Sequence, residues 1–255
     1  MIALPSPRNA RLQTLQRQAL RETLCVAPAY AALAVALGSF ADFGAAYVFK
    51  AAALFAGASW LLWQTIGAHA PHTRFGAANR VTLLRLALVL LIAAAAGESV
   101  AAPHLAWGVV GLATSAALLD AMDGPLARAS GLASEFGARF DMETDALLVL
   151  TLSVLAWQFD RAGAWVFAAG LMRYTFVAAS HWPWPWLARP LPPSLRRKAV
   201  CVAQIVSLIV CLVPWLAPRV AGAVAAAGVV LLTCSFAVDV HWLARARHLP
   251  QEIPA

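Results

Sequence analysis

The chain has 255 residues, of which 62% are hydrophobic and only 12% are charged. A soluble domain of this length carries about twice that charged fraction, so these residues cannot cover a water-exposed globule. The formal net charge of +7 fits basic loops that set membrane orientation and meet anionic head groups. We therefore expect a polytopic membrane protein and no nucleic-acid partner.

Residues 1–22 form a polar, basic segment with a roughly amphipathic pattern. This pattern predicts either a helix lying on the membrane surface or a polar tail. About eight apolar stretches follow, each near the 20 residues that a spanning helix needs. They lie near residues 23–40, 45–69, 80–99, 102–120, 142–159, 162–180, 199–217 and 220–243. None has the short alternation of barrel strands, so the predicted fold class is an all-α polytopic membrane helix bundle.

Basic residues divide unequally between the two sides of this predicted bundle. The segments on the side of the N-terminus hold most of them, whereas the opposite loops hold little more than Arg161 and Arg219. This asymmetry is the positive-inside pattern. It predicts that both termini are cytoplasmic, in a membrane that we expect to be the bacterial inner membrane.

Four aspartates flank the connection between the fourth and fifth predicted spans. Asp120 and Asp123 are three residues apart, and Asp141 and Asp145 are four apart. Residues at these spacings share one face of a helix. A short connection keeps the two helices adjacent and antiparallel, so we expect the two carboxylate pairs to face each other across one cavity.

Four carboxylates at close range repel one another unless a cation lies between them. Their hard oxygen atoms are the ligands that Mg²⁺ and Mn²⁺ prefer. The aspartates could instead be ordinary solvated charges at helix ends. However, the chain has only 12 acidic residues, and charges near membrane depth are costly and usually functional.

Two glycines and an arginine accompany the aspartates. Gly124 and Gly137 lack side chains that would keep a ligand or a neighbouring backbone away, although close helix packing also uses glycine. Arg128 could neutralise a phosphate or serve only as a positive-inside arginine.

Together these residues form the pattern D-x2-D-G-x2-A-R-x8-G-x3-D-x3-D, which resembles the signature of the CDP-alcohol phosphatidyltransferase family without a gap. Its eight fixed positions are Asp120, Asp123, Gly124, Ala127, Arg128, Gly137, Asp141 and Asp145. The stretch ANRVTLLR resembles the family's P-N-x-(L/I)-T-x-x-R at Asn79, Thr82 and Arg85, with Ala78 in place of the proline. RKAVCVAQ is similar, more distantly, to G-K-x-K-T-x-x-Q, and from it we retain Lys198.

The resemblance implies a six-helix core at residues 71–255, preceded by two additional spans at 23–70 and the basic segment at 1–22. It implies transfer of a phosphatidyl group from a CDP-linked donor, usually CDP-diacylglycerol, to a small alcohol, with release of CMP. The site would lie at the cytoplasmic face, among membrane lipids, and a homodimer is compatible with it.

The resemblance also implies roles for individual residues. Asp120, Asp123, Asp141 and Asp145 would hold Mg²⁺ or Mn²⁺, as a pair of ions, and Asp145 would also be the general base. The CDP and phosphate groups would be bound by Asn79, Thr82, Arg85, Gly124, Ala127, Arg128, Gly137 and Lys198.

Three alternatives stay open at this point. A related enzyme could use a CDP-linked head group with a lipid or polyol acceptor, because the signature is shared. A transporter could use the acidic cluster, but it would carry carboxylates near the bilayer midplane and often repeated halves. A relative without activity could act as a scaffold, although the complete set of aspartates argues against it. The acceptor alcohol has no compact signature.

Overall fold

The structure, a computed structural model, describes residues 7–70, 72–98, 103–130 and 134–247, without the side chains of 7–10, 103–104 and 122–130. Every regular element in these ranges is helical, which confirms the predicted all-α fold. The α-helices are α1 (Pro7–Phe40), α2 (Ala45–Thr65), α3 (Ala77–Ala94), α4 (Pro103–Ser130), α5 (Glu135–Gln158), α6 (Phe167–His181), α7 (Leu195–Cys211) and α8 (Pro218–Ala246). Single 3₁₀ turns lie at Ile66–His69, Ala164–Val166 and Pro185–Ala188.

Four of the described helical stretches are long and apolar enough to cross a membrane. They are Arg11–Phe40, Ala45–His69, Ala77–Ala94 and Pro218–Ala246. Large apolar side chains also lie on the outside of the helices: on α2, Phe49 is 75% exposed and Trp60 is 59% exposed. Such surfaces suit lipid and not water, so the architecture is that of an integral membrane helix bundle. The number of eight spans stays a prediction.

The chain divides into two compact units, Met1–Thr151 and Leu152–Ala255. In the first unit α3 packs along α4, and α1 and α2 pack against each other and against α3. Two buried tyrosine hydroxyls join these helices through backbone carbonyls. Tyr30 donates to the oxygen of Ala51 at 2.8 Å, and Tyr47 donates to that of Leu91 at 3.1 Å.

Helix α1 continues without interruption from the basic segment into the first predicted span. Within the basic segment, Leu15 and Ala19 are each 1% exposed, and they share a buried cluster with Phe75 and Leu83. The apolar face of this segment therefore packs against protein. The division of the chain at residues 22 and 70 stays a prediction.

In the second unit α7 packs along α8, and α8 also contacts α6. At the start of α7, Arg196 forms an ion pair with Asp239 of α8 at 2.5 Å and donates a hydrogen bond to the Ser235 carbonyl at 2.8 Å. These contacts tie the beginning of α7 to the end of α8. Asp239 thus balances neighbouring arginines within its own unit.

Candidate metal centre

Two helices, α4 and α5, bring acidic side chains together at one end, and α3 adds an arginine. Asp120 lies in the second half of α4, and Asp141 and Asp145 lie near the start of α5. In space, the first residues of α3 lie beside the last turns of α4. Arg85, in the first half of α3, therefore reaches the same end. The spacing of four residues puts Asp141 and Asp145 on one face of α5.

One carboxylate oxygen from each of Asp120, Asp141 and Asp145 lies within 4.8 Å of the other two. The side chains of Asp120 and Asp145 are 20% and 19% exposed, and that of Asp141 is 38% exposed. A ligand can therefore reach the cluster from solvent. A group of converging carboxylate oxygens is the donor set that Mg²⁺ and Mn²⁺ favour, so these side chains fit a hard divalent cation.

Arg85 lies against all three carboxylates. Its guanidinium forms an ion pair with Asp120 at 2.8 Å and donates hydrogen bonds to Asp141 and Asp145. The side chain is only 1% exposed. The planar guanidinium offers several donors at once, which lets one side chain serve three acids. Among these four side chains, negative charge still outweighs positive charge.

The sequence analysis expected Arg85 to contact a phosphate, whereas the structure places its guanidinium against the aspartates. Thr82 and Asn79 lie one and two turns before it on α3, and both are buried. The Asn79 amide donates to the Phe75 carbonyl at 2.5 Å, and the Thr82 hydroxyl donates to the Ala78 carbonyl at 3.1 Å. Both side chains are thus bonded to backbone carbonyls four residues earlier in the chain.

Gly137 is where α5 comes close to α3. A Cβ atom on this residue would lie 3.0 Å from Oδ1 of Asn79 and 3.4 Å from Oγ of Ser134. In this structure the absence of a side chain at Gly137 therefore leaves room for the side chain of Asn79.

The remaining expected site residues are placed less completely. Asp123, Gly124, Ala127 and Arg128 belong to the last turns of α4, but their side chains lie outside the described residues. Lys198 lies near the start of α7 in the second unit and is exposed.

Sequence reasoning missed two residues beside this centre, His69 and Ser134. Ser134 precedes α5, and its hydroxyl accepts the Gly137 N–H at 3.0 Å, as an N-cap serine does. A serine directly before a helix with an early glutamate was a signal that could have been used. His69 is fully buried and lies 2.6 Å from the Ser134 hydroxyl. A lone histidine carries no comparable signal.

The family model of the CDP-alcohol phosphatidyltransferases matches residues 75–237. The match covers α3 to most of α8 and includes every residue expected at the site. No curated protein and no solved structure matches the chain.

Proposed function

The chain belongs to the CDP-alcohol phosphatidyltransferase family, and from this membership we propose that it transfers a phosphatidyl group from CDP-diacylglycerol to a small alcohol and releases CMP. Membership itself implies phosphatidyl transfer from a CDP-alcohol. The choice of a CDP-linked lipid as donor and of a small alcohol as acceptor is our proposal.

The observation that carries this proposal is the convergence of Asp120, Asp141 and Asp145 within 4.8 Å. A pyrophosphate is strongly anionic, and three carboxylates alone would repel it. A divalent cation held by these carboxylates would supply the positive charge that a CDP group needs in order to bind here.

Asp120, Asp123 and Asp141 would hold Mg²⁺ or Mn²⁺, as a pair of ions, and Asp145 would share in holding them. When bound, the metal supplies positive charge that stabilises the leaving phosphate oxygen. Buried Arg85 keeps the three described carboxylates together. The expected CDP and phosphate contacts at Asn79, Thr82, Arg85, Gly124, Ala127, Arg128, Gly137 and Lys198 belong to the same proposal.

Asp145 is the proposed general base. The acceptor hydroxyl gives its proton to the Asp145 carboxylate while its oxygen forms a bond to the phosphorus on the lipid side. The bond from that phosphorus to the bridging oxygen breaks, and its electron pair leaves with CMP. A base must lie within hydrogen-bond reach of the proton that it takes, and the 19% exposure of Asp145 leaves it accessible.

We place the site at the cytoplasmic face of a bacterial inner membrane, with both termini cytoplasmic. Two features support this placement: the basic residues concentrate on one side of the predicted spans, and the site residues occupy corresponding ends of α3, α4 and α5. Lipid tails then stay in the bilayer, while the cytidine and the acceptor arrive from the cytosol.

The test is incubation of the purified protein with CDP-diacylglycerol, Mn²⁺ and a panel of alcohols, with CMP release as the measurement. Release with at least one alcohol is expected. Release only from a CDP-linked head group in the presence of diacylglycerol would reverse donor and acceptor. No release from any pair, together with Mn²⁺ uptake into proteoliposomes, would replace the proposal by an acidic-cluster transporter.

Substitution of Asp145 gives the first specific prediction. Asp145→Asn should lower CMP release by about 10²–10⁴-fold, the range lost with a general base, while some Mn²⁺-dependent CDP binding remains. Binding can be measured by equilibrium dialysis with labelled CDP. Glu143→Gln is the matched control, because Glu143 lies exposed on the same helix and should keep wild-type turnover. Equal loss of binding and turnover in Asp145→Asn would contradict a base role.

A further inference from the structure

We propose that His69 and Ser134 are positioning residues, through which the two N-terminal helices set the first turn of α5 and hence the metal-binding carboxylates on it. His69 lies outside the part of the chain that matches the family model, whereas Ser134 lies inside it. The contact between His69 and Ser134 therefore joins the additional N-terminal helices to the part of the chain that matches the family model. Its consequences for turnover rest on the proposed function, but its consequences for metal binding do not.

His69 is held on both ring nitrogens. Nε2 lies 2.9 Å from the carbonyl oxygen of Arg74, and Nδ1 lies 2.6 Å from Oγ of Ser134. The ring also meets Phe136 edge-on, with centroids 5.7 Å apart. The side chain is fully buried, so loss of either hydrogen bond would leave a polar group without water.

The partners determine the tautomer. A carbonyl oxygen only accepts, so Nε2 carries the proton and donates to Arg74. Nδ1 then has the lone pair and accepts the Ser134 hydroxyl proton. The Ser134 oxygen in turn accepts the Gly137 N–H at 3.0 Å. Every hydrogen bond in this series therefore has a defined donor and a defined acceptor, which gives a single arrangement of His69, Ser134 and Gly137.

These hydrogen bonds end at Gly137, beside the metal centre. Gly137 is the point where α5 approaches Asn79 on α3, and Asp141 follows one turn later on α5. Because an α-helix is stiff over such a distance, a tilt of its first turn displaces the carboxylates that follow. Misplacement of reacting groups by about 1 Å can cost 10²-fold in rate.

At the other end of these hydrogen bonds, the turn that carries His69 is fixed by packing against neighbouring helices. The turn that carries His69 follows α2, and its Ile66 belongs to a buried cluster together with Leu15 of α1 and Phe136 of α5. Gln18 of α1 adds two hydrogen bonds across the same region. Its amide donates to the Thr73 carbonyl at 2.8 Å, and its oxygen accepts the Phe75 N–H at 2.9 Å. The histidine is thus anchored in the additional helices before it reaches α5.

The experiment measures Mn²⁺ binding to the purified full-length protein by electron paramagnetic resonance, and CMP release separately. Ser134→Ala and His69→Phe should each weaken Mn²⁺ binding and lower kcat by about tenfold, near the smaller of the effects seen when partners of metal ligands are removed. Ser134→Thr keeps the hydroxyl and should restore both. The double variant should be no worse than either single one, since both break the same chain.

Two substitutions serve as controls with unchanged Mn²⁺ binding. Ser59→Ala removes a hydroxyl of α2 that donates to the Phe55 carbonyl of its own helix. His181→Phe removes a ring on the exposed end of α6. Wild-type Mn²⁺ affinity in Ser134→Ala would overturn the inference, as would failure of Ser134→Thr to restore it or additive losses in the double variant. Absence of CMP release by the wild type would sink the proposed function alone, because the Mn²⁺ comparison still decides the inference.

Discussion

Arg85 is the residue whose surroundings say most about how the acidic cluster exists in a membrane protein. Carboxylates that approach within 4.8 Å repel strongly where little water separates them. A guanidinium that is 1% exposed offsets this repulsion through the terminal N–H groups that it directs at the carboxylates. Arg85 forms ion pairs with Asp120, Asp141 and Asp145 at once, so it supports the cluster in this structure.

Removal of this charge should therefore destabilise the protein in a way that metal repairs. We expect Arg85→Gln to lower the free energy of unfolding by about 3 kcal/mol, the lower end for breaking a buried ion pair, because Asp141 is 38% exposed and partly screened by water. Mn²⁺ should raise the unfolding temperature of the variant more than that of the wild type, because the cation then replaces the missing charge. Thermal unfolding in detergent with and without Mn²⁺ measures both effects.

Arg139→Gln is the matched control for this prediction. Arg139 pairs with Glu135 on α5, but the two side chains are 71% and 75% exposed, and such pairs contribute little. Its unfolding temperature should match the wild type. An equal response of both variants to Mn²⁺ would contradict the role given to Arg85.

The site residues differ in how far their positions could be predicted from the sequence. The helical spacing of Asp141 and Asp145 predicted a shared face, and the structure has it. The motif around Arg85 placed this residue near the site, but a pattern of letters does not say whether a guanidinium meets phosphate or carboxylate. His69 could not be predicted, because its partner lies 65 residues away and the contact depends on tertiary packing.

At the scale of helices, hydropathy located the elements but not their ends. The fourth predicted span ended near residue 120, whereas α4 continues to Ser130. The fifth began near residue 142, whereas α5 begins at Glu135. Hydropathy measures how well side chains fit hydrocarbon, while a helix persists wherever its backbone bonds do and the residues favour it. The aspartates consequently lie inside helices, where the regular backbone places side chains three or four residues apart on one face.

Helix packing in the second unit depends on a small residue. On α8, a Cβ atom at Gly228 would overlap the Ser207 hydroxyl and lie 2.9 Å from Oε1 of Gln204, both on α7. Small residues at helix interfaces let backbones approach closely. The Gln204 side chain is 1% exposed, so it has little room to move away.

We therefore expect Gly228→Ala to reduce the stability of the protein by about 1–3 kcal/mol, the usual cost of overpacking. Gly222→Ala is the matched control on the same helix, because a Cβ atom at Gly222 would lie 3.4 Å from the Arg161 carbonyl oxygen. Thermal unfolding in detergent compares the two variants. A wild-type unfolding temperature for Gly228→Ala would mean that α7 separates from α8 at little cost.

At the scale of the whole chain, the main question is which loops lie on which side of the membrane. The described α6 has only 15 residues, which is short for a spanning helix. The 3₁₀ turn at Ala164–Val166 runs directly into it, and together they extend about 28 Å. This length nearly matches a hydrocarbon core of about 30 Å, so α6 can connect the two faces.

The proposed topology puts the loop before α6 outside and the loop after it in the cytoplasm. Asp160 and Pro193 are exposed positions in these two loops. In a background in which Cys25, Cys201, Cys211 and Cys234 are replaced by alanine, Asp160→Cys should react with an impermeant maleimide in spheroplasts. Pro193→Cys should react only after the membrane is opened, because the basic residues that follow it, Arg196, Arg197 and Lys198, favour the cytoplasmic side. Labelling of both positions in intact spheroplasts would mean that α6 does not cross the membrane, and the cytoplasmic location of the C-terminus would then have to be abandoned.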